Sequence, residues 1–257
     1  MIRSLTGRAL TATLTIIIVA AVLAGCGASV DPALVTSAGK HGNALEANVV
    51  LLQSDVLDDA SSRDLKDINA AIDAGDLRKA TPGDVRRGQG EIRHRINTLA
   101  SFRRKMLAAG SKLRNTPTPD FKAYLEKNSN TVTFVDSYSQ ATRAISRSSA
   151  VTLTAISIAL TSLERYLDFL EQWEELLVND DTDNLVDSAK KSDKALATLN
   201  RRKTALKLAG NPTLVLKVLV DKMAAATSAD SQISGLIDEL RKQYPKSFLP
   251  VHIVEKK

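Results

Sequence analysis

The chain has 257 residues, with 35 Lys and Arg against 29 Asp and Glu, a formal net charge of +6 and a single cysteine. One cysteine excludes an intramolecular disulfide, so stability has to come from packing. The basic excess is too small to indicate nucleic acid as a partner. Aromatic residues are only 4% of the chain, which leaves any core to Leu, Ile, Val and Ala.

In chain order, the first stretch is a basic head, Arg3 and Arg8, followed by an uncharged run rich in Ile16, Ile17, Ile18, Val19, Val22 and Leu23. It closes on Leu23, Ala24, Gly25 and Cys26. A basic head, an apolar run and small residues before a cut are the marks of a secretory signal. The Leu23-Ala24-Gly25-Cys26 ending resembles the lipobox of bacterial lipoproteins, and the resemblance covers residues 1–26. It implies cleavage before Cys26 and attachment of acyl chains such as palmitate to that cysteine. Gly27 stands where an aspartate would imply retention in the inner membrane. The resemblance therefore implies an outer-membrane anchor facing the periplasm in a two-membrane bacterium, and otherwise the outer face of the plasma membrane. The alternative is an uncleaved anchor, because residues 9–30 carry no charge and are about long enough to span a bilayer. Without residues 1–25, which hold Arg3 and Arg8 and no acid, 33 basic residues face 29 acidic ones.

A short tether, residues 26–30, leads into Asp31-Pro32, a helix cap followed by a first-turn proline. Leu34, Ala38, His41, Leu45, Val49, Leu52 and Val56 then recur at threes and fours, the period of one helix face. Ser62 starts a shorter helix through Leu65, Ile68 and Ile72, and residues 75–84 read as a loop. A helix over residues 84–113 carries Val85, Ile92, Ile96, Leu99, Phe102 and Met106, weakened by Gly88, Gly90 and Gly110. Pro117 and Pro119 stop it. Residues 121–177 hold neither proline nor glycine and read as one helix or two, with breaks expected at residues 128–130 or 146–149. Leu153 to Leu170 keep a heptad stripe of the coiled-coil kind. A turn at residues 179–183, a helix to residue 209 and a last helix over residues 213–244 follow. Pro245 closes it, and the tail, residues 246–257, reads as extended. The expected fold is all-α: an elongated bundle of long antiparallel helices over residues 31–245.

Residues 84–114 carry nine cations, among them Arg93, Arg95, Arg103, Arg104 and Lys105, against Asp84 and Glu91. Residues 164–183 carry eight carboxylates against Arg165. The basic run is a candidate contact for an anionic surface polymer or lipid. The competing reading is a solvated face or pairing with the acidic run inside the bundle. Tyr166, Phe169 and Trp173 fall on one helix face, as a partner patch or a second packing face. The uncharged run at residues 148–163 is short and rich in Ser and Thr, so it reads as a buried helix centre rather than a membrane span. Asp181 and Asp183 lack the glycine and distal glutamate of a calcium loop. His41, His94 and His252 have no partner at metal-ligand spacing, and no nucleophile elbow is present. No metal, no cofactor and no catalytic residue is expected. The function expected is a membrane-anchored lipoprotein of the cell envelope, a non-catalytic binding or scaffolding module whose partner is another envelope protein or an anionic polymer. Two alternatives are an enzyme or hydrolase accessory factor acting on wall or lipid, and a sensor or toxin-immunity type of domain.

Overall fold

The structure, a computed structural model, describes residues 30–56, 68, 70, 71, 74, 76–179 and 212–248. The proposed signal, Leu23 to Cys26 with it, lies outside these residues. So do the expected helix to residue 209, the pair Asp181 and Asp183, and the tail beyond Phe248.

Six α-helices are described: α1 (Pro32–Leu52), α2 (Pro82–Asn115), α3 (Phe121–Tyr124), α4 (Ser129–Asn179), α5 (Pro212–Ala229) and α6 (Ser231–Gln243), with a 3-10 turn at Leu77–Lys79. The all-α bundle expected from the sequence is the fold that forms. Its ends are set by side chains. Asp31 accepts from Ala33 N at the start of α1, with Pro32 in the first turn. Thr81 and Asp84 form a reciprocal capping box on α2, which satisfies two otherwise orphaned donors. At its other end Thr116 Oγ1 donates to Lys112 O.

α4 is a single helix of 51 residues, about 77 Å at 1.5 Å per residue. The break expected at residues 128–130 is real: Asn128 stays outside the helix, and its Oδ1 accepts from Thr131 N at 2.9 Å. The break considered at residues 146–149 does not form. Ser149 is buried and faces α1, so the small polar residues allow a close neighbour instead of interrupting the helix. Further along, Thr154, Ser157, Thr161 and Ser162 each donate to the carbonyl four residues back, which keeps the hydroxyls from needing other partners. By length and composition α4 is apolar enough to cross a membrane. In the fold its stripe at Ile156, Leu160, Leu163 and Leu170 is buried with residues of α2.

The last helix differs from its expected course. Residues 213–244 form two helices that meet at Asp230, whose carboxylate accepts from Gln232 N and Ile233 N. The extended backbone of Asp230, φ −135° and ψ 121°, turns the chain so that α6 also packs against α1.

Among the described residues two cores lie end to end along α4. The first joins α1, Leu113 of α2, α3, the early part of α4, α5, α6 and Phe248, around Leu34, Leu45, Phe134, Ile145 and Leu236. The second joins Ile68, Leu77, α2 and the later part of α4, around Ile92, Leu99, Met106, Ile156, Leu170 and Trp173. Between them lies a polar layer. Asn48 Nδ2 donates to Ala44 O at 2.9 Å and Ala109 O at 3.1 Å, and Ser149 Oγ donates to Asn48 Oδ1 at 3.3 Å. Residues 245–247 turn, and Phe248 N donates to Gly42 O at 2.9 Å while its ring is buried in the first core.

Candidate functional site

The register of α2 against α4 decides what becomes of the basic run. Arg86 pairs with Glu174, Gln89 Nε2 donates to Leu170 O at 3.2 Å, and Arg93 pairs with Glu171 at 2.7 Å. Nearer the middle, Ala109 and Ser149 share Asn48. The two helices therefore run antiparallel, and the first turns of α2 meet the acidic end of α4. Hydrogen bonds from Arg86, then from Gln89, hold the Glu174 carboxyl below its ordinary pKa. Asp84 is lowered too, chiefly by its hydrogen bonds with Thr81, and it also pairs with Arg87.

The five basic candidates separate accordingly. Arg93 is tied to Glu171. Arg95 is only 6% exposed, with Glu91 at 3.5 Å, so it is withdrawn from any surface contact. Arg103, Arg104 and Lys105 are exposed and form no ion pair among the described residues. Lys112 and Arg114, which the sequence offered as part of the same run, are exposed and unpaired in the same sense. For this segment, internal pairing and a free basic surface are both realised, in different halves of one helix.

The aromatic candidates form no surface. Tyr166, Phe169 and Trp173 are 2%, 4% and 0% exposed. Their rings follow one another at 5.9 and 5.6 Å, and Trp173 Nε1 donates to Leu77 O at 3.3 Å. As a partner patch they are therefore corrected to a packing face: the stripe points at Leu77 and α2, so a docking protein has no access to it.

His41 is buried, and its Nδ1 shares a 2.7 Å hydrogen bond with Tyr138 Oη. Phe121 lies edge-on to the Tyr138 ring at 5.0 Å. Burial lowers the His41 pKa and pushes the Tyr138 hydroxyl well above its ordinary value, so both groups are neutral in the fold. Among the described residues, no group of His, Cys, Asp and Glu is arranged to hold a metal ion.

Sequence reasoning missed Asn48 and Gln89. Asn48 falls beside the stripe of α1, three residues past Leu45, and that placement is the signal that would have found it. Gln89 lies between Gly88 and Gly90, and the glycines draw attention to a weakened helix instead of to the amide between them. Compared with known proteins, the chain matches no family model, no curated protein and no solved structure.

Proposed function

We propose that the chain is a lipid-anchored cell-envelope protein whose helical bundle binds or scaffolds a partner at the membrane surface and performs no chemistry. The observation that carries this reading is the Leu23-Ala24-Gly25-Cys26 ending of an apolar, basic-headed leader. Acylation of Cys26 holds the protein at the outer membrane, facing the periplasm, in a two-membrane bacterium, and at the outer face of the plasma membrane otherwise. Support also comes from the capped start of α1 at Asp31, five residues past Cys26. Those residues reach at most about 18 Å, which keeps the start of the bundle close to the bilayer. The buried titratable pair of the first core, His41 and Tyr138, is engaged with itself in an apolar cluster and serves packing in this reading.

The test is metabolic labelling of cells with an alkyne-bearing palmitate, followed by membrane fractionation. The wild-type chain takes up label and sediments with membranes; Cys26→Ala takes up none and leaves its normal fraction. Equal labelling of the two chains refutes the anchor.

A further inference from the structure

Two sequence segments without a carboxylate meet in the fold. Residues 92–119 of α2 and the loop after it contain no Asp or Glu, and neither do residues 137–163 of α4. The antiparallel register, fixed by Arg86 with Glu174 and by Ala109 with Ser149 through Asn48, sets these two stretches side by side. The waist of the molecule is thus bordered by cations on both helices: Arg103, Arg104, Lys105, Lys112 and Arg114 on α2, and Arg143 and Arg147 on α4. All seven are exposed, and none is in an ion pair among the described residues.

We propose that this waist is a contact surface for the anionic head groups of a lipid bilayer, and that the bundle leans against the membrane instead of standing on its tether. The inference rests on the anchored reading above and names its partner. Helical spacing puts Arg103, Leu107 and Arg114 along one edge of the exposed face of α2 and Lys105 and Lys112 along the other, with Arg104 between. Leu107 is 44% exposed, an apolar side chain framed by cations. That combination suits the head-group layer, where long basic side chains reach phosphates and a Leu reaches the acyl boundary. A soluble polyanion would use the charges and leave Leu107 in water.

The posture follows from the levels of the helices. α1 runs parallel to α4, because His41 meets Tyr138 and Asn48 meets Ser149. Ala109 is level with Asn48, about 26 Å along the axis from Asp31, and the cations from Arg114 to Arg103 lie about 18 to 35 Å from that start. Charges act over only about 8 Å at physiological ionic strength. An upright bundle would therefore hold the waist out of range, whereas a leaning one brings it down. Beyond the waist, Glu164, Asp168 and Glu175 are exposed and outside every ion pair among the described residues, against one such cation, Arg165, so an anionic surface repels the far end. The near half touches and the far half stands off.

The experiment uses the full chain reconstituted into vesicles of phosphatidylcholine, with and without phosphatidylglycerol. A fluorophore is placed at Leu107→Cys or, as the far-end control, at Val178→Cys, and a head-group nitroxide lipid is the quencher. The acyl mass on Cys26 is read separately, so loss of the anchor and loss of the contact are told apart. The expected result is strong quenching at residue 107 on phosphatidylglycerol vesicles alone, reversed by high salt, and little at residue 178. Each cation near an anionic leaflet changes occupancy about fivefold, so Arg103→Glu with Arg104→Glu and Lys105→Glu abolishes the quenching. The three side chains are exposed, and unchanged circular dichroism and melting verify that the variant is folded. Quenching at residue 107 that ignores lipid charge, or that survives the triple reversal, overturns the proposal. So does a wild-type chain in which residues 107 and 178 are quenched alike.

Discussion

His41 carries the clearest consequence at the scale of single residues. Its pKa lies below the ordinary 6.5 because burial disfavours the charged ring. A group depressed in the fold stabilises the protein fully above its unfolded pKa. That contribution is lost as pH falls from 6.5 toward the lower folded value, because the unfolded chain there binds more protons. Melting temperature is accordingly expected to fall as pH drops below 6.5, before the carboxylates titrate. The double variant His41→Leu with Tyr138→Phe removes both polar groups and should flatten that limb. His41→Leu alone strands the Tyr138 hydroxyl and costs about 1–3 kcal/mol. Chemical unfolding of the three chains between pH 5 and 7.5 checks this, and an unchanged slope in the double variant would assign the limb to other groups.

At the scale of elements, two glycines inside helices have opposite roles. A Cβ added at Gly39 of α1 would run into the Tyr244 ring, whereas one at Gly90 of α2 meets nothing within 4 Å. Gly90→Ala should stabilise the protein by about 0.5–1 kcal/mol through helix propensity alone, and Gly39→Ala should destabilise it by about 1–3 kcal/mol through overpacking. Denaturant midpoints settle both, and a stabilising Gly39→Ala would mean that Tyr244 moves aside freely. The same contrast shows what the sequence made legible. Periodicity placed α1, α2 and the heptad part of α4, and Pro117 and Pro119 marked the end of α2, because those signals are local. The corner at Asp230 was missed because an apolar stripe reads straight through it. The cap competes with that stripe and wins by satisfying two backbone donors. Partners across the bundle were not legible at all. Asn128 Nδ2 donates to Asp230 Oδ2 at 2.7 Å and Glu126 N donates to Gln232 Oε1 at 2.8 Å, joining the starts of α4 and α6 over a hundred positions of sequence. The candidate basic run was visible as composition. Its division into a neutralised half and a free half depends on the register against α4, which one chain read alone does not fix.

For the whole molecule, the two cores among the described residues lie at opposite ends of α4, with Leu113 of α2 in the first and Leu51 and Leu52 of α1 against the second, and they imply two units of cooperative opening. Leu170→Ala removes a side chain that is 0% exposed in the second core and should cost about 2–5 kcal/mol. Its amides from Ile92 to Met106 are expected to exchange faster with solvent, while those around Phe134 to Ile145 change far less. Uniform acceleration along α4 would show instead that the bundle opens as a single unit. The polar layer at Asn48 has a further consequence, which concerns load. If the protein is anchored ahead of α1, as proposed, and pulled at the far end of α4, tension enters through α1 and leaves along α4. The two run side by side and overlap only from Pro32 to Leu52. Part of the force crosses between them at the hydrogen bonds of Asn48 with Ser149 and of His41 with Tyr138, which it meets sideways, as shear, and Asn48 passes another part to Ala109 of α2. The peptide hydrogen bonds of α4 lie along the pull and take it one after another. The contacts between α1 and α4 would then have to fail together before the two helices slid past one another.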